Sequence, residues 1–174
     1  IAELEGLIDR RQVATWSQPG NVGFLTGDSR WRIHAAERIR ERFLESLAPD
    51  VVHVGSLFEG IGDDVSTTVG EVVRLPTAVT LYDLIPLADE GFFGDNQALA
   101  DWYSRKLVSL RRADMMLAIS EYSRREALDL LGVPETRIAT ISSAADPMFR
   151  PPLPGGAQAE EAALRRRYGI SRPY

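Results

Sequence analysis

From Arg112 to Arg150 the chain reads RADMMLAISEYSRREALDLLGVPETRIATISSAADPMFR: an apolar strand, a helix, a second apolar strand and a proline-marked exit, with few residues between them. Two short buried strands separated by one helix cannot form a hairpin. They form a parallel pair, with the helix crossing over the sheet in the right-handed sense. Met115 to Ile119 is predicted as the first strand. Ser123, with Glu126 three residues later, supplies the S-x-x-E capping box of the helix, Gly132 ends it, and Pro134 blocks its continuation. Arg137 to Ile141 is then the second strand, buried like the first.

The same alternation runs back along the chain. Val51 to Val54 is a β-branched run between Asp50 and Gly55, the pattern of a strand covered on both faces. Ala78 to Tyr82 is another strand, followed by Asp83 and the Ile85-Pro86 break, and then by a helix over Asn96 to Arg111 whose inner face carries Leu99, Trp102, Tyr103, Leu107 and Leu110. Strand and helix therefore alternate from Val51 to Ile141. The fold class is α/β, a Rossmann-like parallel sheet with helices on both faces.

The flanks are read more coarsely. Ile1 to Arg10 is expected to be the remnant of a helix, and Gln12 to Ser17 a short strand. After Asp28 or Ser29, the residues Trp31, Ala35, Ile39, Phe43 and Leu47 recur at four-residue steps and predict the apolar stripe of a long helix that Pro49 ends. Arg38, Arg40 and Arg42 sit among Glu37, Glu41 and Glu45, which reads as a solvated helical face rather than a membrane-docking one. Pro147, Pro151, Pro152, Pro154, Gly155 and Gly156 interrupt regular structure as an interdomain linker does. The expected division is residues 1–150 for the first domain, 151–157 for the linker and 158–174 for the start of a second, truncated domain. Ala157 to Tyr168 is expected to be helical, with Gly169 ending it and SRPY entering a strand. The chain thus reads as a fragment.

Composition narrows the function. With 174 residues and 26 % of them charged, the chain is long enough for one substantial core. There are no cysteines, which excludes disulfides and thiolate metal sites, and with only His34 and His53 as imidazoles no zinc site and no cofactor are expected. The net charge of −5, with arginines interleaved among glutamates, argues against nucleic acid as a partner. No apolar run reaches the roughly 20 residues of a membrane span, and no leader opens the sequence. The expected location is cytoplasmic, extending to peripheral association with the inner face of the cell membrane.

In an open parallel sheet ligands bind beyond the carboxyl ends of the strands. The residues there are Ser56, Phe58, Glu59 and Gly60 after the first strand, Tyr82 and Asp83 after the second, Ser120 and Glu121 after the third, and Ser142, Ser143 and Asp146 after the fourth. Most have a structural alternative. Ser120 can satisfy the turn into its helix, Asp83 can cap a turn, and His53 in an apolar strand can be a satisfied core histidine. Glu59 is harder to explain structurally, because nothing local needs an acid between Phe58 and Gly60. The loop carrying it, Gly55 to Val69, is longer than the usual 2–6 residue connection, as functional loops often are. Asp63-Asp64 suggests a cation only weakly, since adjacent carboxylates diverge along an extended chain. Neither G-x-G-x-x-G between strand and helix, nor a P-loop, nor G-x-S-x-G occurs, which lowers the dehydrogenase, phosphate-loop and hydrolase classes.

The ordered set PDVVHVGSLFEG, TAVTLYDLIPL, RADMMLAISEYSRREALDLLGVPETRIATISSAADPMF and LRRRYGISRPY resembles the retaining group-one glycosyltransferases of the GT-B fold over roughly residues 49–174. The resemblance implies the acceptor-side half of a two-domain enzyme. Such an enzyme moves a sugar from a GDP- or UDP-linked donor, held mainly by the other domain, to a saccharide or glycolipid acceptor with retention at the anomeric carbon. It places acceptor contacts at Ser56, Phe58, Glu59, Gly60 and Tyr82, a catalytic or orienting role at Asp83, and the cleft edge at Ser120, Glu121, Ser143 and Asp146. LYDLIPL is reminiscent of mannosyltransferases of bacterial surface polysaccharide synthesis. In many relatives a histidine stands where this chain has Tyr82, and a phenol can bond a sugar hydroxyl without serving as a base. The family's Asn-Gly before the exit aspartate is replaced by Ser143-Ala144, which implies a different hinge geometry. The alternatives from other classes are a non-catalytic Rossmann-like sugar or nucleotide binding module, and a flavodoxin-like receiver whose lysine would have to be Lys106, the chain's single lysine.

Overall fold

A computed structural model of the chain describes residues 8–18, 20–26, 29–89, 91–149 and 157–172, the last group without side chains for 157–160. The chain divides into two compact units between Ser142 and Ser143. The first holds α1 (Arg30–Ser46), β1 (Val52–Val54), β2 (Thr77–Leu81), α2 (Ile85–Ala88), α3 (Gln97–Arg112), β3 (Met115–Ala118), α4 (Glu121–Leu131) and β4 (Ile138–Thr140). The second holds α5 (Ala157–Tyr168), followed by Gly169 at φ +65.

The four strands lie in the order β1-β2-β3-β4, all parallel, so their carboxyl ends share one edge. The α/β, Rossmann-like expectation is met. Asp114, at the end of α3, fixes where β2 and β3 begin: its carboxylate accepts from Thr77 N at 2.9 Å and Arg74 at 2.9 Å. These bonds, the Thr77 one foremost, hold its pKa below the ordinary value.

Helix cover is one-sided among the described residues. Register puts Val54, Val79, Met116 and Ile138 on one face, and all four are buried. Leu107 and Leu110 of α3 and Ala127 of α4 pack there, and Leu44 of α1 lines a recess beside Val52 and Val54. The other face carries His53, Ala78, Thr80, Met115, Leu117 and Ala139; none joins the apolar core, although Thr80 is buried. A consecutive strand order explains this, because right-handed connections that keep moving in one direction leave their helices on the same side.

Several expectations change. Gln12 to Ser17 is no strand; a 3-10 turn covers Arg10–Gln12. Most of Ile1 to Arg10, Asp28 and the linker positions 151–156 lie outside the described residues. Helix α1 faces the opposite way from its apolar stripe: Trp31 is 68 % exposed and Ile39 and Leu47 about half exposed, while Ile33, Ala36, Glu37 and Glu41 are buried. The acids sit inside because the surrounding loop and α3 supply donors for them. The cap of α4 is Ser120, whose hydroxyl accepts from Ser123 N at 3.0 Å. Ser123 is instead buried in the first turn and donates to Tyr82 O at 2.6 Å. Strands β1 and β4 are sheet edges, so His53 and Ala139 are exposed, and His53 Nε2 meets Thr80 Oγ1 at 2.9 Å.

Candidate functional site

The 55–73 loop is built in two parts. Its second part is tied down by buried charge. Glu41 accepts from Thr68 Oγ1 (3.0 Å) and Glu71 N (2.9 Å) on one oxygen, and from Val72 N (2.8 Å) and Val73 N (3.1 Å) on the other. Burial pushes this carboxyl up, but the four hydrogen bonds together outweigh it and leave the pKa below its ordinary value. Lys106, buried on α3, donates to Thr67 O at 3.0 Å and Thr67 Oγ1 at 2.5 Å, and Thr67 Oγ1 donates on to Leu57 O at 2.6 Å. Burial draws the ammonium down to about 8, against the pull of Glu37. Arg105 Nη2 donates to both oxygens of Glu37, at 3.0 and 2.9 Å, while its Nη1 meets His34 Nε2 at 3.1 Å. Every buried charge here has a partner, as burial requires.

Earlier in the loop, Gly60 stands at φ +85 and its carbonyl accepts from Phe24 N at 2.9 Å. An added Cβ would overlap Val65 O. Gly60 is therefore a turn residue that the backbone requires, and it lines the small recess beside Lys106 rather than the strand-end cavity. Asp64 Oδ1 accepts from Val22 N at 2.7 Å and Gly23 N at 3.2 Å, and Asp63 Oδ1 from Val65 N at 2.9 Å. Both acids are engaged by backbone, and no cluster of three metal-ligating side chains occurs among the described residues.

The first part of the loop does something else. Ser56, Leu57, Phe58 and Ile61 line a cavity of about 330 Å3, together with Tyr82 and Asp83 from the end of β2, Pro86, Phe92 and Phe93 from the following segment, and Leu99, Trp102 and Tyr103 of α3. Phe58 stacks on Tyr103 at 5.1 Å between centroids, and Phe93 lies 5.5 Å from the same ring. Trp102 Nε1 and Tyr103 Oη are buried with no hydrogen-bond partner among the described residues. Burial, with the charges of Asp83 and Glu126 behind it, pushes the Tyr103 phenol well above its ordinary value. The mouth is polar. Ser56 Oγ donates to Glu59 Oε1 at 2.5 Å, Tyr82 and Asp83 are exposed, and Asp83 Oδ1 accepts from Ile85 N at 3.2 Å.

Of the residues expected from sequence, the structure brings Ser56, Phe58, Tyr82 and Asp83 to one cavity, with Glu59 joined through Ser56. Ser120 and Glu121 serve the scaffold: one caps α4, and the other accepts from Thr140 Oγ1 at 3.0 Å, the bond that chiefly lowers its pKa. Ser142 takes the left-handed φ of +60 at the end of the first unit. Ser143 and Asp146 belong to the second unit, where the Asp146 side chain accepts from Met148 N at 2.8 Å. Sequence reasoning missed Phe92 and Phe93. The signal was the Gly91-Phe92-Phe93-Gly94 run, two large apolar residues in a turn where no helix or strand period explains them.

The family model described as Glycosyltransferase Family 4 matches residues 5–149, most of the chain. The chain belongs to glycosyltransferase family 4. It is similar to proteins described as "Serotype-specific mannosyltransferase WbdA" from Escherichia coli: one is 35 % identical over 140 residues, covering 79 % of this chain and 17 % of that protein. Another is 33 % identical over 120 residues, covering 68 % of this chain and 15 % of its own length. The family 4 chain thus spans at most 17 % of the length of these curated relatives. No solved structure matches it significantly. None of its described helices is long and apolar enough to cross a membrane.

Proposed function

We propose that this chain is the acceptor-side part of a retaining glycosyltransferase that moves a hexose, mannose by the name its relatives carry, from a nucleotide-linked donor to a saccharide or glycolipid acceptor in bacterial surface polysaccharide synthesis. The observation that carries this reading is the convergence of Ser56, Tyr82 and Asp83, from the carboxyl ends of β1 and β2, on one aromatic cavity. In the proposed reaction the acceptor hydroxyl oxygen forms the new bond to the anomeric carbon on the face from which the nucleoside diphosphate departs, and the hydroxyl proton passes to that leaving phosphate. Asp83 accepts a hydrogen bond from the attacking hydroxyl and orients it. Ser56, Glu59 and Tyr82 hold neighbouring hydroxyls. The donor, GDP- or UDP-linked, is held by a second domain that begins near residue 158, after a linker at 151–157. Association with the inner face of the cell membrane would bring such a site to a lipid-borne acceptor.

The expected outcome is that the 174-residue chain alone transfers no mannose from GDP-mannose to a mannoside, while the same chain joined to the sequence that follows it in its gene does so. Turnover by the isolated chain would contradict the division of labour. Saccharide binding without transfer in the longer protein would favour a non-catalytic binding module.

A further inference from the structure

The cavity behind the polar mouth has a chemistry of its own. Its interior is walled by Leu57, Phe58, Ile61, Phe93, Leu99 and Trp102, which present carbon. The two polar atoms its aromatic walls carry, Trp102 Nε1 and Tyr103 Oη, are buried out of reach and contribute no accessible hydrogen-bonding surface. The hydroxyls of a bare hexose would find no partners inside and would lose those they had in water. The mouth is the reverse. Ser56, Glu59, Tyr82 and Asp83 offer hydroxyl and carboxylate oxygens suited to sugar hydroxyls, and the two acids repel an anionic group. Phe92, 46 % exposed, stands at the boundary between them. A volume of about 330 Å3 lies at the small end of the roughly 300–1,000 Å3 range of ligand sites, enough for one short apolar group and too little for a nucleotide-sugar.

We propose that the acceptor is an amphiphile: a saccharide whose hydroxyls are held at the mouth and whose uncharged apolar substituent, alkyl or aryl, occupies the aromatic cavity. This rests on the acceptor-side reading above and narrows it. Phe58, Phe92, Leu99 and Trp102 become the residues that set acceptor preference, and the polar rim alone does not account for it.

The test is a titration of the chain with methyl, butyl, hexyl and octyl α-mannopyranoside, followed by calorimetry and by the Trp102 indole N–H resonance. Affinity is expected to rise about fourfold per buried methylene until the cavity is full, then level off, with the Trp102 signal moving in step. Leu99→Trp, which fills the cavity, flattens the series; the Trp102 shift in the unaltered chain carries the test if that variant folds poorly. A flat series with measurable mannoside binding overturns the inference and leaves the acceptor reading standing. Absence of any mannoside binding overturns both. Binding of 1-octanol as tight as that of octyl mannoside, or a rise that leaves the Trp102 resonance unmoved, also overturns the inference.

Discussion

Residues 66–73 and residues 56–61 belong to one loop and are held by opposite means. The first stretch is fastened by ions: Glu41 gathers Thr68 and the N–H groups of residues 71–73, and Lys106 grips Thr67. The second is fastened by rings, Phe58 against Tyr103 and Trp102, with its acid turned outward beside Ser56. Charge that is buried and fully paired makes a scaffold, because each partner is committed. Charge left at the mouth of an apolar cavity keeps capacity for a ligand. The difference separates two sets of acids that look alike in sequence: Glu37 and Glu41 are internal fasteners, whereas Glu59 is half-buried beside Ser56 and Asp83 is exposed.

The sharpest way to break this contrast is to remove the scaffold acid. Glu41→Ala leaves a hydroxyl and three backbone N–H groups without their acceptor, and is expected to lower unfolding stability by about 3 kcal/mol in urea melts. The pH dependence has a definite sign. The folded pKa of Glu41 lies below its ordinary 4.5, so as pH falls the unfolded chain takes up the proton first and stability drops. Glu41→Gln should lose that acid-side slope. A variant that unfolds like the wild type would show that the 66–73 stretch is not held in this way.

A smaller effect is expected from Lys106. Its folded pKa of about 8 is below the unfolded value of 10.5, so between these values the unfolded chain binds more protons and stability rises with pH. From pH 7 to 9.5 the gain is about 2 kcal/mol, and it disappears in Lys106→Met, as thermal or urea melts at the two pH values would show. A slope that survives the substitution would assign the titration to another group.

How much of this was legible in the sequence depends on how far apart the interacting residues are. The α3–β3–α4–β4 run could be read because its signals are local: Gly132 at φ +64 ends α4, and Asn96, which accepts from Leu99 N at 3.1 Å, caps α3. The strand-end rule likewise pointed to Ser56, Tyr82 and Asp83, which line one cavity in the structure. The orientation of α1 was not legible. Its apolar period pointed Trp31 and Ile39 inward, and only donors about 30 residues later, in a loop with no period of its own, explain why Glu41 is buried instead. Ser120 and Ser123 are three residues apart, and either could begin a helix; the bond from Ser123 Oγ to Tyr82 O, across 41 residues, decides between them. Phe93 acquires a role only when α3 brings Tyr103 beside it, and Phe92 packs on Phe93.

The most direct measurement is on Asp83, in the chain joined to its following sequence, with stability and mannosyl transfer read on the same Asp83→Asn protein. Because Asp83 is exposed and, among the described residues, accepts one turn bond, at 3.2 Å, its unfolding free energy should change by no more than about 0.5 kcal/mol. Transfer to a mannoside should fall at least about a hundredfold, as expected for an orienting group at the reacting hydroxyl. Unchanged transfer, or a loss of transfer matched by a loss of folding, would contradict the assignment of the cavity mouth as the acceptor site.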